Sequence, residues 1–142
     1  MSDIASEGGA YPRAREDGDN RGFLEAWRAA KLAVQACGDC GRRFFYPRPL
    51  CPHCWSDKLR WETLPGDGEI VSFSLIHRPN HPSFFAEVPI ALAEIRVDAG
   101  VTLLARIVDA PPEGLRSGGK VRLVAGEAAA RYPLPTFRPV PR

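Results

Sequence analysis

Four cysteines are the residues of this chain whose type and spacing best suit chemistry. They form two C-x-x-C pairs with ten residues between the pairs: Cys37, Cys40, Cys51 and Cys54. Each pair can aim two sulfurs at one point, which suits a tetrahedral zinc ion. Gly41 follows the first pair and Pro52 lies within the second, and both residue types favour tight turns. The pattern predicts one structural zinc ion in a small ribbon.

Other uses of four cysteines fit this chain less well. Two disulfides would require an exported protein, and the sequence shows no sign of export. A thioredoxin-like redox pair needs a βαβ context, which the sequence lacks. Iron in a rubredoxin-like site uses the same four thiolates and remains an alternative. His53 lies between two of the cysteines, but four sulfurs already fill the coordination sphere, so a position beside the site or toward solvent is expected for it.

The sequence predicts that this chain is not an enzyme by itself. Four thiolates leave the zinc no open position for water or substrate, so the ion is expected to stabilise the fold. The chain has three histidines and no fifth cysteine. It contains no G-x-S-x-G, P-loop or G-x-G-x-x-G motif. No catalytic residues are therefore predicted.

Three basic residues are candidates for ligand binding. Arg48 belongs to a group of basic residues around the cysteines, which either compensate the charged metal centre or bind an anion such as a CoA phosphate. His77 and Arg78 lie at the end of a predicted strand, close to Phe84 and Phe85. That loop either contacts a ligand or owes its polar residues to turn chemistry and solubility.

Composition and charge limit the classes of partner. The chain has 142 residues, 44% of them apolar and 25% charged, as in ordinary globular proteins. Its formal charge of +2 falls to about zero when four thiolates and Zn²⁺ are counted, which disfavours broad affinity for nucleic acid. No apolar run approaches the roughly 20 residues of a membrane span, and the N-terminus lacks a secretory signal. A cytoplasmic location is the default expectation.

Three segments are expected along the chain. Residues 1–18 are predicted to be a disordered leader, and 19–62 to hold a short helix and the zinc ribbon. A helix over about 21–30, with Asp19 or Asn20 as its cap, would place Phe23 and Trp27 on one side. These two aromatics either pack in the core of their own domain or bind a partner.

Residues 63–142 are predicted to form an all-β barrel of four or five curled strands. An OB-fold has the right size, and a sandwich is the alternative. A slip in the apolar phase of the second strand indicates a bulge or a curl around the barrel. The last segment holds four prolines and is expected to be an extended tail, with at most an edge strand at its beginning. The ribbon's first strand and the barrel strands are expected at 32–36, 69–77, 89–97, 101–108 and 120–124.

An ordered series of motifs resembles a known family. The series runs from the aromatic pair of the helix to the end of the chain: Phe23 and Trp27, Cys37-x-x-Cys40-Gly41, Phe45-Tyr46-Pro47-Arg48, Cys51-Pro52-His53-Cys54, Trp61, the Gly66/Gly68 turn, the strand at 70–77 and Leu134-Pro135-Thr136-Phe137-Arg138-Pro139. It is similar to the acyl-CoA-associated family that joins a rubredoxin-like zinc ribbon to an OB-fold.

The resemblance implies a function as well as a fold. Members of that family are non-catalytic partners of thiolase-like enzymes or lipid-transfer-protein-type aldolases that act on acyl-CoA. This chain is therefore expected to be such an accessory subunit, with a possible share in CoA binding. Two alternatives are a zinc-ribbon/OB-fold module for single-stranded nucleic acid and a free-standing acyl-CoA binder. The nucleic-acid alternative is weakened because Arg96, Arg106 and Arg122 have no aromatic neighbours in the sequence.

Overall fold

The computed structural model describes residues 11–141. Residues 1–10, the larger part of the predicted leader, lie outside the described residues. None of the described helices has the length and apolar character to cross a bilayer. In chain order the helices and strands are α1 (Arg21–Arg28), β1 (Leu32–Cys37), β2 (Arg43–Phe44), β3 (Leu59–Leu64), β4 (Asp67–Ile76), β5 (Ile90–Arg96), β6 (Thr102–Ile107), β7 (Lys120–Leu123), α2 (Glu127–Ala130) and β8 (Thr136–Pro139).

Residues 11–18 are the part of the predicted leader that the structure describes. They have no helix or strand, but they are attached to the fold by side chains. The Tyr11 hydroxyl donates to both carboxylate oxygens of Glu87, at 2.7 Å each. Glu16 pairs with the Arg28 guanidinium of α1 at 2.7 Å. The polar composition hid these contacts because their partners lie far away in the sequence.

Helix α1 buries the apolar stripe that predicted it. Phe23 and Trp27 recur one turn apart, and both are buried. Asn20 occupies the N-cap position, but its side chain accepts from the backbone N–H of Asp17 and caps nothing in the helix. The helix ends at Arg28, two residues before the predicted end, and Ala30 has a left-handed φ of 59° that no α-helix accommodates.

The zinc ribbon is built on a three-stranded antiparallel sheet in the order β2-β1-β3. All six residues of β1 are buried, so this central strand is covered on both faces. Its ladder with β3 runs from Leu32 opposite Leu64 to Cys37 opposite Leu59. Strand β3 of the ribbon thus extends to Leu64, two residues into the segment predicted for the barrel.

The second unit is a closed five-stranded barrel in the order β4-β5-β6-β8-β7. This confirms the predicted mainly β fold with a small barrel and removes the sandwich alternative. The pairing is antiparallel throughout, except that β6 and β8 run parallel. Closure leaves none of these five strands at a free edge.

The predicted bulge lies in a different strand. The register between β4 and β5 shifts between Ile70 and Ser72, so the extra residue belongs to β4. Strand β5 alternates regularly, because Ala91 and Ala93 continue the inward row that Ile95 belongs to. The phase slip inferred from larger apolar residues arose from overlooking these alanines.

The proline-rich tail contains the strand that closes the barrel. Residues Thr136–Pro139 form β8, which pairs with β6 on one side and β7 on the other. Phe137 of this strand is fully buried. The prediction of an edge strand is therefore wrong, and helix α2 just before it was not foreseen either. Proline is tolerated here because Pro133 and Pro135 precede the strand and Pro139 is its last residue.

One apolar core joins the helix, the ribbon and the barrel. It includes side chains from each: Trp27, Leu32, Leu64, Ile95 and Phe137. A second, smaller cluster surrounds the metal-binding cysteines, where Phe44 packs with Cys37 and Cys51.

Candidate functional site

The four cysteines lie on two turns of matching geometry. In the first turn, the Gly41 N–H donates to the Cys37 carbonyl at 3.0 Å. In the second, the Trp55 N–H donates to the Cys51 carbonyl at 2.9 Å. The first turn follows directly from β1, so the buried central strand fixes the position of its cysteines.

The sulfur positions match a tetrahedral metal site. All four Sγ atoms lie within 4.8 Å of one another. The Cys37–Cys54 and Cys40–Cys51 sulfur distances are 3.6 Å and 3.7 Å. Zn–S bonds of about 2.3 Å place the sulfurs of a regular tetrahedron about 3.8 Å apart. The donor set therefore fits zinc, which would connect the two turns and leave no position for a reacting ligand.

Backbone amides are directed at these sulfurs. The N–H of Cys40 donates to the Cys37 sulfur at 3.4 Å, as does the N–H of Asp39. These bonds favour the thiolate and lower the pKa of the Cys37 thiol to about 6. At Cys54 the Ser56 N–H acts in the same direction, but burial and the other cysteine sulfurs outweigh it and raise the pKa to about 12. Without metal, the Cys37 thiol therefore ionises at lower pH than the Cys54 thiol.

The basic residues near the cysteines are engaged in different ways. Lys58 lies 3.8 Å from the Asp39 carboxylate, and an Arg42 guanidinium nitrogen lies 3.2 Å from His53 Nδ1. Arg48 has an exposed side chain, while its backbone N–H and carbonyl are both held by the buried side chain of Gln35. Arg48 is thus held in position by its backbone, with its guanidinium toward solvent.

Phe23 and Trp27, the candidates for partner binding, are placed in the chain's own core. Their exposed fractions are 7% and 5%. Phe23 packs edge-on against Phe45 of the ribbon, with ring centres 5.3 Å apart. Trp27 Nε1 donates to the Tyr132 carbonyl of the barrel segment at 2.8 Å. Of the two alternatives for this pair, core packing is the one that the structure shows.

Of the three candidate ligand-binding residues, Arg78 alone lines a mainly apolar cavity against the barrel. This cavity has a volume of about 490 Å³ and lies against β4, β5 and β6. Arg48 and His77 are exposed and are not among its lining residues. The structure does not bring the three residues together.

The cavity also contains residues that the sequence analysis missed. Arg106 lies in it, with its guanidinium 5.8 Å from the ring centres of Tyr11 and Tyr132 and 5.9 Å from that of Phe84. In the sequence, Arg106 has no adjacent aromatic residue. Its aromatic neighbours come from three distant segments, so no local signal could have found them.

Together, the closed barrel and the four-sulfur site define a zinc-ribbon/OB-fold protein. Residues 24–60 match the family described as ChsH2, rubredoxin-like zinc ribbon domain. Residues 61–126 match the family described as ChsH2, C-terminal OB-fold domain. The chain belongs to this ChsH2/DUF35 family, and its four cysteines form the family's zinc site, as predicted.

Two relatives support the same family. A probable enoyl-CoA hydratase alpha subunit of Thermomonospora curvata is 34% identical over 130 residues, which is 90% of this chain and 40% of that relative. A DUF35 domain-containing scaffold protein of Methanothermobacter thermautotrophicus is 33% identical over 94 residues, 66% of this chain and 70% of the relative. This chain thus spans less than half of the first relative's length.

A solved structure is similar over nearly the whole described fold. It is titled "Ltp2-ChsH2(DUF35) aldolase", and its matching chain is 32% identical with a TM-score of 0.77. The alignment covers 89% of this chain and 98% of that one.

Proposed function

We propose that this chain is a non-catalytic accessory subunit of an enzyme that acts on acyl-CoA thioesters. The proposed partner is a thiolase-like enzyme or a lipid-transfer-protein-type aldolase. The chain would bind this partner, stabilise it and help to shape its substrate site.

The observation that carries the proposal is the similarity to the ChsH2(DUF35) chain. That chain is found in a structure titled as an aldolase with Ltp2, and the similarity covers 98% of it at 32% identity. Similarity over nearly the whole of that chain supports the proposal that this chain also assembles with an enzyme. The names of the sequence relatives, a hydratase subunit and a scaffold protein, also describe parts of larger assemblies.

The chemistry of the described residues agrees with a supporting role. The four-sulfur site has no open coordination position, so its metal supports structure rather than hydrolysis. If CoA contacts this chain, we propose the exposed Arg48 and His77 as contacts for its phosphates, because both side chains are free to reach an anion at the surface.

Co-purification tests the proposal directly. The tagged chain is co-expressed with the thiolase-like or aldolase gene closest to its own gene. The complex is measured by gel filtration with light scattering, and the enzyme is assayed with and without the chain. We expect co-elution at a fixed stoichiometry, together with a more active or more stable enzyme.

A Cys51→Ser variant serves as the matched control, because it removes one metal ligand and leaves the barrel residues unchanged. It is expected to lose zinc and to bind the partner more weakly. Separate elution of the two wild-type proteins, with equal enzyme activity in the absence of the chain, would show that the proposal is wrong.

A further inference from the structure

The cavity beside Arg106 has the properties of a binding site for a small molecule. We propose that it binds an amphipathic carboxylic acid, with the apolar body against the barrel and the carboxylate at Arg106 and His81. The proposal goes beyond the accessory function, because it requires no partner enzyme.

The cavity lies on the outer face of the barrel. Leu92 is paired with Arg106 across β5 and β6, and Arg106 is paired with Thr136 across β6 and β8. These residues alternate with the inward-facing Ala93 and Ala105, which are buried in the core. The cavity therefore lies mainly on the outer face of the barrel, and Ala105 of the core is among the residues that line it.

Apolar groups form most of its wall. Ile76, Leu92 and Leu104 contribute from the strands, and Pro79 and Pro133 contribute from the segments above them. The volume of about 490 Å³ lies within the range of about 300–1,000 Å³ that is usual for small-molecule sites. An aliphatic or alicyclic body of moderate size is the group that such a wall accommodates.

His81 places an unused hydrogen-bond donor in this apolar setting. Its Nδ1 accepts from the Ser83 N–H at 3.1 Å and contacts the Ser83 hydroxyl at 2.7 Å. Because Nδ1 acts as an acceptor, the ring proton of the neutral imidazole is on Nε2. Nε2 is buried and has no hydrogen-bond partner among residues 11–141. A buried N–H without a partner is costly, and a ligand acceptor would satisfy it.

Arg106 supplies a second unused donor. One terminal nitrogen of its guanidinium pairs with Glu87 at 2.6 Å, but its Nε is buried and without a partner within the described chain. Both Arg106 and His81 lie close to Phe84, with the guanidinium 5.9 Å and the imidazole ring 6.2 Å from its ring centre. Both donors therefore lie near the same ring, Phe84, and all three residues line the cavity.

The charge around these donors is positive. Glu87 is shared by Arg106 and Arg131, at 2.6 Å and 3.6 Å, so one carboxylate balances two guanidinium groups. Arg78 adds a third positive charge to the lining. Among the described residues that line the cavity there is no aspartate or glutamate. An anion is favoured there, and a cation is not.

Stacked aromatic rings hold Arg106 in this position. Tyr11 stacks on Phe84 with ring centres 5.1 Å apart, and on Tyr132 at 6.0 Å. The guanidinium lies against all three rings, which fixes its plane and limits access of water. A planar, oriented guanidinium in apolar surroundings favours a planar carboxylate.

Titration of three ten-carbon probes into the zinc-loaded full chain tests the proposal. Calorimetry compares decanoate with decanol and decylammonium, and decanoyl-CoA forms a fourth arm. We expect decanoate to bind at least about tenfold more tightly than decanol, because only the carboxylate can accept charge-assisted bonds from both donors. Decylammonium is expected not to bind.

Two variants connect the binding to the named residues. His81→Asn retains a side-chain oxygen that can accept from the Ser83 N–H and removes the Nε2 donor, so decanoate affinity should fall about tenfold. Arg78→Gln should reduce it about threefold. Arg122→Gln, which removes another exposed charge from a different part of the barrel, should leave decanoate affinity unchanged. Circular dichroism checks that each variant is folded.

Equal affinity for decanoate and decanol would overturn the proposal, as would unchanged decanoate binding in a folded His81→Asn variant. Binding of decanoyl-CoA without binding of decanoate would also overturn it and would identify a thioester site. The experiment uses the chain alone, so a negative result would not count against the proposed accessory function. Failure to find a partner enzyme would likewise not count against this binding site.

Discussion

Gly41 and Trp55 occupy equivalent positions in the two cysteine turns, and both have left-handed backbone torsions, with φ of 76° and 67°. Each residue follows the second cysteine of its pair. Glycine adopts this conformation without strain, whereas a tryptophan there is strained. The indole of Trp55 is 75% exposed, so the chain's own packing does not explain its presence.

The first prediction compares substitutions at these two positions. Gly41→Ala should lower the free energy of unfolding by about 1 kcal/mol, since a Cβ is disfavoured at this φ. Trp55→Gly should change it by less than about 0.5 kcal/mol, because the relief of strain offsets the added flexibility of glycine. Urea denaturation of the zinc-loaded proteins measures both. If Trp55→Gly lowered the free energy of unfolding strongly and Gly41→Ala did not change it, the left-handed conformation assigned to the two residues would be wrong.

The second prediction concerns the metal. Wild-type protein should contain one zinc per chain, and Cys51→Ser should contain none, because three thiolates no longer complete the site. Ser56→Ala, in the same turn but not a ligand, should retain the metal. Elemental analysis measures zinc and iron directly, and a red protein rich in iron would contradict the assignment. Chelation of the wild type should unfold the ribbon and weaken any complex with a partner enzyme.

The third prediction concerns the ionic cluster at Glu87. Glu87→Gln should lower the free energy of unfolding by about 1–3 kcal/mol, since it leaves the largely buried Arg106, and the exposed Arg131, without a counter-charge. Glu69→Gln is the matched control, because its partner Lys120 is 70% exposed and the pair is solvated. It should cost less than about 0.5 kcal/mol. If Glu87→Gln and Glu69→Gln lowered the free energy of unfolding by similar amounts, burial would not strengthen the ion pairs of Glu87.

The fourth prediction follows from the pKa of Glu87. Burial acts to raise this pKa, but the Tyr11 hydroxyl and the two arginines outweigh burial and lower it. A carboxyl whose pKa is lower in the folded state stabilises the fold above its unfolded pKa, about 4.3, and loses that effect as pH falls through the folded value. The difference in unfolding free energy between wild type and Glu87→Gln should therefore be constant above about pH 5 and shrink below about pH 4.

Wild type and Glu87→Gln both lose zinc in acid, so zinc loss cancels in the difference between their free energies of unfolding. A difference that stayed constant down to about pH 3 would contradict the lowered pKa.

The fifth prediction concerns the closing strand of the barrel. Phe137→Ala should cost about 3–5 kcal/mol, because the ring is fully buried at the junction of β6, β7 and β8. Val140→Ala, just beyond the same strand and 37% exposed, should cost less than about 1 kcal/mol. Thermal unfolding of both variants provides the comparison, and equal costs would contradict this position of β8.

The parts of the fold that depend on local spacing could be predicted from the sequence. The C-x-x-C pairs define their own turn geometry, and the aromatic spacing of Phe23 and Trp27 defines one side of α1. The hairpin of β5 and β6 follows from a short connection between two apolar strands. In each case, the residues that determine the structure are close neighbours in the chain.

The rest depends on contacts between distant segments. Strand β8 is defined by its neighbours, since Thr136 pairs in parallel with Arg106, and its own prolines indicated only an extended tail. The cavity beside Arg106 is assembled from Tyr11, Phe84 and Tyr132, none of which has a local pattern of its own. Side-chain type alone therefore could not show that Arg106 has an aromatic environment.

The strand order of the barrel also has a consequence for how the protein is made. Strands β6 and β7 are not neighbours, because β8 lies between them. During synthesis the cysteine turns leave the ribosome well before β8, so metal can be captured while the barrel is still open. The indole N–H of Trp27 likewise lacks its acceptor, the Tyr132 carbonyl, until that late part of the chain has been synthesised. A nascent chain stalled before β8 would thus carry its zinc on an unfinished fold, exposed to chaperones and proteases.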